Sequence, residues 1–82
     1  MEDTLVYILF STKTSKYYTG KTIDFERRLF QHNNGLNTST KSGLPWINVW
    51  KSNILIPKDA SELEKRIKKR GAKRFLEDIS EK

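Results

Sequence analysis

Glu64 stands where a carboxylate is hardest to explain. It lies four residues after Ala60, one after Leu63 and three before Ile67, which on a helix places it on or beside an apolar stripe. A carboxylate there needs a partner or a metal. One partner is Lys68 at i,i+4, a pair contributing only a few tenths of a kcal/mol. The other is a hard divalent cation such as Mg²⁺. Arg28 poses a similar choice. It shares a helix flank with Phe25 and His32, whereas Arg27 points elsewhere. It serves either a surface ion pair with Asp24 or a guanidinium fork for a phosphate. Only the second reading of each would put a metal ligand and a phosphate fork in one small domain. Tyr7 and Tyr18, taken singly, read as ordinary core or sheet residues. Lys21 brings a cation near them in sequence, and His32 by itself reads as a surface or capping residue.

The elements that must carry these residues follow from pattern. Thr4 to Phe10 is apolar and rich in β-formers, as a buried strand requires. After the polar turn Ser11 to Ser15, Lys16 to Lys21 resumes a strand that Gly20 closes, so the two make an antiparallel hairpin. Thr22 and Asp24 are N-cap candidates for a helix running to about Asn33. Asn33, Asn34 and Gly35 stop it through left-handed cap chemistry. Residues 34–44 form a loop rich in Asn, Ser, Thr and Gly, long enough in so small a domain to be functional or mobile. Pro45 to Ile56 carries Trp46, Ile47, Val49, Trp50, Ile54, Leu55 and Ile56 as a third strand, interrupted near Ser52 and Asn53 and punctuated by Pro57. Asp59 and Glu62 resemble a capping box that starts a second helix, with Gly71 as its C-cap and Ala72 to Ile79 as a short last helix. The order β-β-α-β-α-α is an α+β domain with a three-stranded sheet.

Composition narrows the class. Eighty-two residues, 35% of them hydrophobic, make one domain with a small core. The absence of cysteine excludes disulfides and thiolate metal sites. The longest apolar run, Leu5 to Phe10, is too short to span a membrane and lacks a basic leader, so a cytoplasmic location is expected. Sixteen Lys and Arg against ten Asp and Glu give +6, a bias towards polyanions. Lys65, Arg66, Lys68, Lys69, Arg70, Lys73 and Arg74 fall within ten residues that hold no acid. They form either a solvated helix face or a stripe that tracks phosphates.

Five segments in order resemble the GIY-YIG nuclease superfamily. Leu5-Val6-Tyr7 resembles its first signature and Tyr18-Thr19-Gly20 its second, with Lys21 following as in many members. Asp24 to His32 resembles the family's arginine helix. Its arginine falls eight residues after the motif glycine, which selects Arg28 over Arg27. Ala60 to Lys69 resembles the glutamate helix, where the glutamate falls four residues after the alanine and selects Glu64 over Glu62. Pro45-Trp46 and the ending around Ile67 to Gly71 are most similar to small stand-alone bacterial proteins, relatives of the N-terminal nuclease domain found in excinuclease. Two positions depart, with Leu5 for the first motif's Gly and Thr19 for the second motif's Ile, yet neither removes a reacting group.

The resemblance implies a three-stranded antiparallel sheet flanked by helices and hydrolysis of DNA phosphodiester bonds with one divalent cation, Mg²⁺ or Mn²⁺, held by Glu64. It implies a transition-state role for Arg28, a general base in Tyr7 and a positioning role for Tyr18. Lys21 and the metal would favour phenolate at Tyr7, and His32 would accept the tyrosine proton or contact phosphate. Lys65, Lys68, Lys69, Arg70, Lys73 and Arg74 are the candidate contacts to DNA phosphates. A bare catalytic core reads little sequence, so recognition of nicked or branched DNA, or targeting by a partner protein in repair or recombination, is expected. The alternative is a nucleic-acid-binding module that keeps the scaffold without turnover.

Overall fold

A computed structural model describes residues 3–80, with only the backbone at Ser39. The central element is β1, Leu5–Ser11. It pairs antiparallel with β2 (Lys16–Thr22) on one side and β3 (Trp46–Lys51) on the other, giving the order β2-β1-β3. Side chains alternate across a strand, and β1 is covered on both faces. Val6 and Ile8 pack with Ala60, Leu63 and Ile67 of α2 (Pro57–Arg70) and with Phe75 and Leu76 of α3 (Ala72–Ser80). Tyr7 and Leu9 pack on the opposite side with Phe25 and Leu29 of α1 (Phe25–Asn33) and with Trp46 and Tyr18.

Trp46 and Trp50 serve opposite cores although four residues separate them, a spacing that would put both on one face of a regular strand. A register shift against Ile8 and Leu9 leaves Val49 as the extra residue of a bulge, and one extra residue reverses the faces beyond it. After β3 the chain breaks at Ser52, whose hydroxyl accepts from the Val6 amide at 3.0 Å. Pairing resumes in the Thr4–Leu55 bridge. The interrupted third strand read from the sequence is therefore present.

The limits of α1 are those its residues dictate. The Asp24 carboxylate accepts from the Arg27 amide at 3.1 Å as N-cap. At the other end Gly35 takes φ 70°, and the Leu36 amide reaches back to the Gln31 carbonyl at 3.0 Å, which closes the last turn. Gly71, at φ 94°, separates α2 from α3.

Three expectations are corrected. Gly20 lies inside β2, which continues to Thr22. The Asp59–Glu62 capping box does not form, because α2 begins earlier at Pro57 with Ile56 as an N-cap that makes no side-chain bond. A proline at the first helical position has the required φ and no amide to leave unpaired. The loop of residues 34–44 contains a 3-10 helix, Thr38–Gly43. Among the described residues no helix is long and apolar enough to cross a membrane.

Candidate active site

Tyr7 points from β1 into the α1 side and is 2% exposed. Its cross-strand neighbour is Gly20. A Cβ at Gly20 would lie 2.6 Å from the Tyr7 hydroxyl oxygen and 2.8 Å from Cζ, so only glycine lets the phenol lie across β2. The hydroxyl is 3.0 Å from His32 Nε2, and His32 Nδ1 is 2.8 Å from the Thr40 hydroxyl. His32 is fully buried in the last turn of α1. Tyr18 completes the wall, with its ring centroid 4.9 Å from that of His32 and 6.3 Å from that of Tyr7.

Arg28 makes no ion pair among the described residues. Asp24, the surface partner considered for it, is engaged as the N-cap acceptor of α1. Arg28 lines a groove of about 380 Å³ with Thr22, Arg27 and Gln31, and its charge acts on both Tyr7 and His32. Glu64 comes from α2, and its charge also acts on Tyr7. Its side chain is 15% exposed and holds two ammonium groups, Lys21 Nζ at 3.0 Å on Oε1 and Lys68 Nζ at 3.3 Å on Oε2. The i,i+4 pair considered for Glu64 is present, joined by a second cation from β2. Lys21 therefore faces the carboxylate.

Burial pushes the Tyr7 hydroxyl above the usual tyrosine range; Tyr18 and Glu64 push the same way, against Arg28. Burial also lowers His32 below its ordinary 6.5, with Arg28 adding to the effect. The resting pair at neutral pH is a neutral phenol beside a neutral imidazole. Burial rather than a neighbouring cation sets that state.

Among the described residues no group of three or more His, Asp or Glu gathers as a metal cage. The donor set fits a cation nonetheless. Glu64 is a largely covered carboxylate whose two oxygens already face positive charge, and a divalent cation with few protein ligands takes water and substrate oxygens for the rest.

The basic residues divide. Arg70 is bound to Asp78 through Nε at 2.9 Å and Nη2 at 3.0 Å, which ties α2 to α3. Lys68 is held by Glu64. Lys65, Lys69, Lys73 and Arg74 are exposed and make no ion pair among the described residues. A wider groove, about 570 Å³, lies against α3 between Tyr17, Trp50, Leu76 and Ile79 and contains none of the candidate catalytic residues.

Thr40 was not singled out in the sequence. It is 1% exposed, and its carbonyl accepts from the Trp46 indole at 2.7 Å. Asn33 fixes Trp46 in turn, accepting from its amide at 2.7 Å and donating to its carbonyl at 3.0 Å. A threonine inside a polar loop gives no local signal of such a role.

A model of the GIY-YIG catalytic domain matches residues 4–77 of the chain. Comparison with curated proteins and comparison with solved structures each give no match.

Two outcomes are expected from this geometry. Gly20→Ala should destabilise the domain by about 1–3 kcal/mol through overpacking and displace Tyr7, read as a lower urea midpoint and an altered near-ultraviolet circular dichroism signal. Stability should also fall on acidification. The unfolded chain protonates His32 near its ordinary 6.5 while the folded chain resists, so the unfolded state binds more protons and is favoured as pH drops. Urea midpoints between about pH 7.5 and pH 5.5 should decline in the wild type and decline less in His32→Gln.

Proposed function

The chain belongs to the GIY-YIG nuclease superfamily, and we propose that it is a divalent-metal-dependent endonuclease that hydrolyses DNA phosphodiester bonds in repair or recombination. One observation carries this reading. The Tyr7 hydroxyl, seated against Gly20 and bonded to His32, receives the charges of Arg28 from α1 and Glu64 from α2. In this reading α1 supplies the proton acceptor and the phosphate clamp, and α2 the metal ligand, around a phenol from β1.

In the proposed reaction the DNA phosphate lies across the Arg28 groove, where the guanidinium stabilises the charge that grows in the transition state. Tyr7 takes a proton from the attacking water as its own proton passes to His32 Nε2. Tyr18, beside both, positions the water or the phosphate. The new P–O bond forms in line with the breaking one, and the leaving oxygen takes a proton from solvent. Glu64 would hold the divalent cation, which when bound supplies charge neutralisation and Lewis-acid polarisation of the phosphate. Lys21 and Lys68, the partners of that carboxylate, would then be available to phosphate oxygens. Lys65, Lys69, Lys73 and Arg74 extend the cationic surface available to the duplex. Arg70 contributes through its field while it stays tied to Asp78.

Supercoiled plasmid with Mg²⁺, Mn²⁺ or EDTA tests the reading. Nicking should require the metal, and Glu64→Ala should abolish it while DNA retardation in gels and the thermal transition stay close to wild type. Undiminished nicking by Glu64→Ala would reject the assignment, and a mobility shift without nicking by the wild type would favour the binding module. Arg28→Ala should lower the cleavage rate by roughly 10²- to 10³-fold, the scale of one oriented transition-state donor. If single-turnover rates at saturating DNA are unchanged and only affinity falls, Arg28 is a binding residue.

A further inference from the structure

The hydrogen bonds behind Tyr7 continue past His32 into the 3-10 helix. The Thr40 hydroxyl lies 2.8 Å from His32 Nδ1 and 3.4 Å from the Asn37 carbonyl oxygen. A carbonyl only accepts, so the Thr40 hydroxyl donates to Asn37 only when its lone pairs, not its proton, face the imidazole. In that arrangement Nδ1 carries the ring proton, which leaves Nε2 as the acceptor 3.0 Å from the Tyr7 hydroxyl. The other end of the chain gives the same answer. Among the described residues His32 is the hydrogen-bond partner of the Tyr7 hydroxyl. A proton on Nε2 would point two donors at each other or leave the buried Tyr7 proton without an acceptor, at a cost of about 1–3 kcal/mol.

We propose that Thr40 is a positioning residue that holds His32 as its Nδ1–H tautomer, keeping Nε2 free to receive the Tyr7 proton. The proposal rests on the reaction above, in which that proton passes to His32. The groups that face the ring make the role specific. Tyr7 faces it from β1 and Tyr18 from β2, with ring centroids at 5.9 Å and 4.9 Å, and Arg28 acts on it from α1. No carboxylate pairs with it among the described residues. An imidazolium formed beside Arg28 therefore has the Thr40 oxygen as its one hydrogen-bond acceptor at Nδ1. The hydroxyl is itself fixed, because Thr40 is buried, its amide donates to the Asn37 carbonyl at 3.2 Å, and its own carbonyl holds the Trp46 indole.

His32 is the one histidine in the chain, so its ring nitrogens are readable without ambiguity by ¹⁵N NMR. The wild type and Thr40→Ser should show protonated Nδ1 and unprotonated Nε2 at neutral pH. Thr40→Val, close in shape but without the acceptor, should shift the ring towards the Nε2–H form. In plasmid nicking, Thr40→Val should lose roughly 10²-fold in kcat with KM little changed, its acidic pH limb should move, and Thr40→Ser should restore both. A wild-type ring protonated at Nε2 would overturn the proposal outright, even if Thr40→Val failed to fold. So would a folded Thr40→Val that keeps the Nδ1–H form and the wild-type kcat. A wild type that does not nick at all would instead refute the nuclease reading, and the NMR comparison would still decide what Thr40 does to His32.

Discussion

The hydrogen bond from the Tyr7 hydroxyl to His32 Nε2 requires that a phenol be buried without clashing, that an imidazole be held in one tautomer, and that both be kept from water. Gly20 meets the first condition, since any Cβ there would overlap the hydroxyl. The 3-10 helix meets the second through Thr40. The third falls to Phe25, Tyr18 and Trp46, whose rings close around the pair. These residues come from both flanking strands and from α1, so the bond exists only once the sheet and α1 are assembled. Buried polar groups are costly when half-satisfied, and among the described residues no buried side-chain nitrogen or oxygen lacks a hydrogen-bond partner.

Electrostatics sets the site under tension. Arg28 favours a charged phenolate at Tyr7, while burial, Tyr18 and Glu64 oppose it. Arg28 and burial both oppose a charged His32. The resting site is therefore neutral at its centre and charged at its rim, which suits a reaction whose negative charge develops on a phosphate entering from outside. At that rim Glu64 is held by two lysines whose side chains are 42% and 58% exposed. Pairs with so much solvent on one partner are weakly bound, so a cation or a phosphate can displace them at little cost.

How far the site was legible depended on whether each residue's role was local. Asp24 and Gly35 act within one turn of their own positions, and both ends of α1 could be placed from them. Glu64 was conspicuous because an acid beside an apolar stripe violates a pattern, and Arg28 for a weaker version of that reason. The two tyrosines carried no anomaly, since a buried tyrosine in a strand is ordinary; their roles came from the spacing of family motifs. Thr40 was invisible because its function depends on a side chain eight residues away and on Trp46, contacts that only folding creates. Pro57 shows the opposite failure: the Asp59–Glu62 pattern was a sound local signal, but a stronger one two residues earlier prevailed.

The alternation of β1 divides the work of the domain. Its even residues, Val6 and Ile8, lie in an aliphatic cluster with Ala60 and Ile67 that contains no candidate catalytic residue. Its odd residues, Tyr7 and Leu9, lie in the aromatic cluster that forms the wall of the candidate site. An 82-residue chain has little surplus stability, so polar groups can be buried on one face only if the other packs tightly. Here the Val6 and Ile8 side is covered by two helices and the Tyr7 side by one helix and a short 3-10 turn. The bulge at Val49 lets β3 supply a tryptophan to each side, so the aromatic wall of the site and the aliphatic core gain their tryptophans from one short strand. Backbone geometry that would read as a defect in β3 is thus what allows one strand to serve both the aliphatic core and the wall of the candidate site.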